Sequence, residues 1–291
     1  MYFLYNFTLF VIRNLPRRCS YFISNIIADI CCRLDKKKSM AICKNLEKIL
    51  GRQINRSESK KMTRDIYRNY AKNIADFFRF DRANQEFFSK NLTTIGRHHI
   101  DGAIEKGKGA IVISGHIGAV RFGCVDLGAA VNLLSAPNLN EKVNKFIKKQ
   151  RSKIGIKTIE LQQVKNCFKV LKSGEILAVA IDRDVKQNGF SIDFFGEKKR
   201  IPKGPAVLSY RLGAPIIPLF CIRQPDDTFL RVLEEPIYPD RTKPEDEAIF
   251  ELAEKSIRKV ESYYKKYPTN CFMFNDLWDE GEFVNNLVQI I

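Results

Sequence analysis

The fold class this sequence predicts is α/β, a mainly parallel central sheet flanked by helices and entered through an α-helical preface. Three observations carry that expectation. Short apolar runs rich in β-branched residues, Ala110 to Ile113 and Ile176 to Ile181, are hydrophobic on both faces, as central parallel strands are. From Leu92 onward such runs alternate with helical stretches, the signature of βαβ units. Before that point only helical periodicity is found, which divides the chain into packing and membrane-associating helices over 1–80 and an α/β domain over 81–291.

The elements follow in order. Met1 to Ile12 and Tyr21 to Leu34 are apolar and aromatic, but Arg13, Pro16, Arg17 and Arg18 interrupt the first and Asn25, Asp29 and Arg33 the second. Neither reaches the roughly 20 residues that a membrane-spanning helix needs, so surface contact is expected for the first. The second suits either a membrane surface or a buried hairpin. A helix opens at Lys36 and runs to about Leu50, and another, capped by Ser57, extends to Phe80. On it Met62, Ile66, Tyr70, Ile74 and Phe77 form one apolar face, expected to pack into the core. Then come a strand near Leu92 to Ile95, a helix to Lys106, the strand ending before His116, a helix to Ala130, a strand from Val131 to Ser135 and a basic helix from Glu141 to Lys153. The lysines of that helix read as a solvated face. After Ile181 the pattern gives an alternating strand from Phe190 to Phe195, a basic loop over 197–200, a helix from Pro202 to Gly213, strands at Ala214 to Leu219 and Phe229 to Leu233, and a long amphipathic helix from Glu245 to Lys266.

His116 is a site candidate by position, since ligands of open α/β sheets gather at the carboxyl ends of the strands. A second cluster, Asp182-Arg183-Asp184, follows another apolar strand and is expected at the same sheet edge. Arg183 there offers a bidentate grip on phosphate or on a developing oxyanion. Composition bounds the rest. With 49 Lys+Arg against 33 Asp+Glu the formal charge is +16, which calls for an anionic partner such as a phospholipid surface or an acidic carrier protein. No recognition helix or base-stacking motif points to nucleic acid. The 8 Cys show no recurrent metal-ligand spacing and no signal-peptide pattern precedes them, so reduced thiols, no zinc and no cofactor are expected.

Ser114-Gly115-His116-Ile117-Gly118-Ala119-Val120-Arg121-Phe122-Gly123 resembles the histidine block of the bacterial lipid A and lysophospholipid acyltransferases, a His followed after four residues by Asp or Glu. The ordered series Asp182-Arg183-Asp184, Phe194-Phe195-Gly196, Gly204-Pro205-Ala206, Gly213-Ala214-Pro215, Arg223 and the closing Tyr267-Pro268 with Phe272 to Trp278 is similar to the same family over about 1–280. The Asp-Arg-Asp form looks most like its phosphatidylinositol mannoside acyltransferase branch.

The resemblance implies a glycerolipid acyltransferase-like fold. It also implies transfer of a fatty acyl chain from acyl carrier protein or acyl-CoA to a hydroxyl of a glycolipid, as in lipid A biosynthesis, or of a lysophospholipid. The expected place is the cytoplasmic face of the inner membrane, with the protein peripheral or anchored by its N-terminus. His116 is then the general base, Arg121 stands where the family has its acid, and Arg183 completes the catalytic set. Asp182, Gly118, Gly204 and Arg223 are expected around the substrate. The departure at Arg121 has a physical cost: a guanidinium about 5 Å from the ring, at an effective dielectric near 20, disfavours the imidazolium by roughly 3 kcal/mol, about two pKa units. Either Arg121 points away and another carboxylate serves His116, or the protein keeps the fold as a catalytically impaired lipid- or partner-binding molecule.

Overall fold

The structure is a computed structural model describing residues 14–79, 83–136 and 140–278. Three helices form the preface: α1 (Arg17–Leu34), α2 (Lys36–Leu50) and α3 (Arg56–Phe78). The N-cap of α3 is Asn55, whose side chain accepts from the Glu58 N–H, not the expected Ser57. Met1 to Ile12 lie outside the described residues. The α/β part runs α4 (Gln85–Asn91), β1 (Leu92–Ile95), α5 (Arg97–Glu105), β2 (Ala110–Ser114), α6 (Val120–Gly123), β3 (Val131–Ser135), α7 (Glu141–Ser152), β4 (Ile156–Glu160) and α8 (Asn166–Lys172). It continues through β5 (Ile176–Ala180), β6 (Phe190–Phe194), β7 (Glu197–Ile201), α9 (Gly204–Leu212), β8 (Ile216–Arg223), β9 (Phe229–Leu233) and α10 (Glu245–Lys266).

Seven strands pair in the order β1-β9-β8-β2-β5-β3-β4. The five from β8 to β4 are parallel, while β9 runs antiparallel to β8 and carries β1 parallel to itself. The expected mainly parallel sheet is therefore present. Both faces are covered, which is why β2 is buried at every position. β6 and β7 form a separate hairpin.

Four expectations are corrected. The helix after His116 is a single turn, because Asp126 (φ 49°) and Gly128 (φ 85°) take left-handed conformations that a continuing helix forbids. The basic segment 197–200 is strand β7, whose inward positions are Lys199 and Ile201. Lys199 hides on the inner face by donating to the Leu277 carbonyl, which defeats a reading of the charge run as loop. β4 and α8 were not expected at all. Finally, the apolar face of α3 does more than pack the core: Ile66 and Phe77 are buried there as expected, while Tyr70, Ile74 and the edge of Phe77 also wall a cavity.

The preface is riveted to the sheet by a buried charge network. Arg223, 5% exposed at the end of β8, donates to Asp76 of α3 (2.5 Å), to Asn73 (2.6 Å) and to the Tyr21 hydroxyl of α1 (2.9 Å). Arg223 thus does not face the cavity, and its expected place against substrate is corrected: it is a structural cation satisfied by the helices. Removing one partner of such a pair strands the other without water. Asp76→Ala is expected to lower stability by about 3–5 kcal/mol, whereas Asp29→Ala, which breaks the half-exposed pair with Arg68, is expected to cost about 1 kcal/mol or less. Urea midpoints of the two variants check the difference.

Candidate active site

The site is built by strand register. β2 and β5 are parallel neighbours with Ser114 opposite Ala180, and the next backbone bond, Ile181 N–H to the Ser114 carbonyl, continues the pairing. Two residues further along each chain, His116 and Asp182 meet. His116 Nδ1 lies 2.8 and 3.0 Å from the two carboxylate oxygens of Asp182, and the His116 backbone N–H donates to Oδ2 at 3.0 Å. From beneath, the Tyr264 hydroxyl of α10 donates to the same Oδ2 at 2.7 Å. Gly115 makes room for this, since a Cβ there would stand 2.5 Å from the Tyr264 hydroxyl oxygen.

Asp182 is fully buried, while the His116 side chain is 34% exposed. Burial would push the Asp182 carboxyl up, but the His116 ring, the Arg183 guanidinium and the His116 N–H outweigh it and hold the group well below the carboxylate range. An ionised Asp182 only accepts, so Nδ1 carries the hydrogen and Nε2 keeps its lone pair. The His116 ring itself is shifted down, first by burial and next by Arg183, with Asp182 pulling the other way and Arg121 the smallest named influence. This corrects the weight given to Arg121: its guanidinium lies over the Phe77 ring, 4.6 Å from the centroid, and another carboxylate, Asp182, serves the histidine.

His116 opens into a cavity of about 660 Å³ bounded by α3, the β2–α6 segment, α7, the β5 loop and the start of α9. Its lining combines apolar side chains, among them Ile74, Phe77, Ile147, Phe168 and Leu208, with basic ones, and Asp184 is the one carboxylate residue on it among the described residues. Arg121, Arg183, Gly118 and Gly204 all line it. Gly118 is nevertheless turned to structure: its φ is +62°, a Cβ would overlap the Cys221 carbonyl oxygen, and its N–H is spent on the Asn270 carbonyl. Asp182 is corrected from a substrate contact to the partner of His116, because it lies wholly beneath the ring.

Residues 1–280 match the family model of the bacterial lipid A biosynthesis acyltransferases. The chain belongs to that family. Among curated proteins it is similar to phosphatidylinositol mannoside acyltransferases. The one from Mycolicibacterium smegmatis is 26% identical over 176 residues, covering 57% of this chain and 58% of that protein. The one from Mycobacterium tuberculosis (strain H37Rv) is 26% identical over 164 residues, covering 53% and 52%. The chain thus spans a little over half the length of the curated relatives it matches. Among solved structures it is similar to the 1-acyl-sn-glycerophosphate acyltransferase PlsC from Thermotoga maritima, with 14% identity, 85% of this chain and 98% of that chain covered, and a TM-score of 0.40.

Three members of the site escaped sequence reading. Tyr264 sat unremarked in an amphipathic helix. Asn45 of α2 clamps the closing block, donating to the carbonyls of Met273 and Asn275 and accepting from the Leu277 N–H. Arg151 was not singled out in the basic helix α7, yet it is 8% exposed and shares the inner face with Ile147, four residues before it. That four-residue spacing was the available signal.

A base of this kind works only when neutral. With the His116 pKa below its ordinary 6.5, kcat/KM for a His116-dependent reaction is expected to stay flat through neutrality and to fall on acidification with a midpoint under 6.5. Asp182→Asn removes the upward pull and the orienting acceptor. The midpoint is expected to move further toward acid and the neutral-pH rate to fall by up to about 10⁴-fold, read from pH–rate profiles of both proteins.

Proposed function

We propose that the protein moves a fatty acyl group from a carrier thioester, acyl carrier protein or acyl-CoA, to a hydroxyl of a glycolipid or lysophospholipid at a membrane surface. The observation that carries this reading is the His116–Asp182 pair at a cavity whose lining is part apolar and part basic. Nε2 takes the proton of the acceptor hydroxyl as its oxygen attacks the thioester carbonyl. The negative charge that develops on the carbonyl oxygen is stabilised by Arg183 beside the ring, and Asp182 stabilises the imidazolium. Collapse of the tetrahedral intermediate forms the ester and expels the thiolate, which takes the proton back from Nε2. The apolar part of the lining holds the acyl chain.

The activity for which the relatives are named, acylation of phosphatidylinositol mannoside, supports a phosphate-bearing glycolipid as acceptor. Membrane contact is supported by α1. Its inner residues Tyr21, Ser24 and Ala28 are buried, while Phe22, Ile26, Ile27, Ile30 and Leu34 stand 46–78% exposed on one face, flanked by exposed Arg18 and Arg33. No helix among the described residues is long and apolar enough to cross a membrane, so α1 lies on the surface in this reading.

His116→Ala is expected to lower acyl transfer by about 10²–10⁴-fold and, because it strands the fully buried Asp182 carboxylate, to lower the thermal midpoint as well, so turnover is compared per folded protein. The assay pairs purified protein with acyl-carrier-protein or coenzyme A thioesters and hydroxyl-bearing phospholipids. Unchanged turnover removes His116 from the reaction, and no turnover in the wild type leaves the lipid-binding alternative that Arg121 raises. Flotation with anionic vesicles tests the surface: Ile26→Asp with Ile30→Asp is expected to abolish binding, while high salt releases only part of the wild type.

A further inference from the structure

Arg151 is a buried cation that the acyl-transfer chemistry above does not use. It is 8% exposed, lines the cavity, and has a hydrogen bond only to the Thr158 hydroxyl at 3.4 Å, with its Nε left without a partner. Arg121 lines the same cavity and rests on Phe77; among the described residues neither guanidinium has an ion pair. The carboxylates nearest Arg151 in sequence, Glu141 and Glu160, lie off the cavity and are paired with Lys145 and Lys148. Burial and the neighbouring Arg121 together push Arg151 down to about 9, so Arg151 stays charged at neutral pH, and burial pushes Arg121 down as well. Two like charges on one cavity lining, neither of them ion-paired among the described residues, have an unmet demand for an anion.

We propose that Arg121 and Arg151 form an anion subsite on the inner wall of the cavity that takes the phosphoryl group of one of the two substrates. Planar guanidinium forks match the oxygens of a phosphate, and a doubly charged group offsets both cations at once. A thioester carbonyl and an acceptor hydroxyl carry no charge, whereas a phosphopantetheine arm and a phospholipid headgroup each carry a phosphate. The proposal rests on the acyl-transfer reading only for these two carriers. It also gives Arg121 a task. The charged groups bearing on His116 are Asp182 and Arg183 of the β5 loop and Arg121 of α6, with Tyr264 of α10 below Asp182. An anion on Arg121 cancels one of the two positive charges that weaken His116 as a base, so the ligand supplies the negative charge that the family's histidine block carries as Asp or Glu.

Calorimetric titration of the full chain with inorganic phosphate tests the subsite without reference to turnover. Wild type is expected to bind, Arg121→Gln and Arg151→Lys to bind about tenfold or more weakly, and the rim variant Lys165→Gln to bind within about threefold of wild type. If Arg151→Lys does not fold, Arg121→Gln decides, since Arg121 is only half-buried. Two further arms name the source, 4′-phosphopantetheine against pantetheine and dihexanoyl phosphatidic acid against dihexanoylglycerol. The pair that separates by about tenfold or more carries the phosphate. The His116 ring, followed by NMR and assigned with His116→Ala, is expected to titrate at higher pH when phosphate is present, and not to respond in Arg121→Gln. Equal phosphate affinity in wild type and Arg121→Gln, no separation in either arm, or an unmoved His116 titration each overturns the proposal. Phosphate binding of this pattern in a protein without turnover overturns the acyl-transfer reading and leaves the subsite standing.

Discussion

The bond between His116 and Asp182 is the constraint around which the site is arranged. It needs two parallel strands side by side and in register, because each residue sits the same two steps past its strand. It needs a carboxylate that stays ionised although no water reaches it. Burial alone would favour the protonated acid, and the protein prevents this with the His116 ring and N–H on the two oxygens and with the Arg183 guanidinium. The glycine at 115 follows from that arrangement, since Tyr264 reaches Asp182 only where no Cβ stands in its path.

The chain's last described segment is held to the same loop. Phe272 donates its N–H to the His116 carbonyl, and the Gly118 N–H is bound by the Asn270 carbonyl. Asn45 of α2 fastens the residues that follow. The helical preface therefore bears on the histidine loop twice, through this clamp and through the Arg223–Asp76–Tyr21 network. Both contacts are buried and polar, so each partner holds the other only while the packing excludes water.

Charge is distributed with a matching logic. The cations that face the sheet and the preface are satisfied, Arg223 by Asp76 and Lys72 by Asp227. Those on the inner cavity wall at Arg121 and Arg151 are left to a ligand. A net charge of +16 is thus not spread evenly as solvated surface, and part of it is concentrated on the lining of the cavity.

By itself the sequence determined the fold class, the strands that carry the site and the family. Apolar β-branched runs and period-3.6 faces are local properties, and the bounds of α2 and α10 were legible to the residue. It also placed His116 and Arg183 at one sheet edge. Only the tertiary structure decided which groups serve them. Asp182 became the partner of His116 because β5, not another strand, lies beside β2, a pairing between residues 66 apart that no local pattern encodes. Arg223 turned from substrate to structure because α1 and α3 fold back over the end of β8 and bring Asp76 and Tyr21 to it. Lys199 in a strand and Arg151 inside the cavity were missed for one reason: a long cationic side chain looks the same in sequence whether its charge meets water, a carbonyl or a ligand, and that is settled by what packs around it.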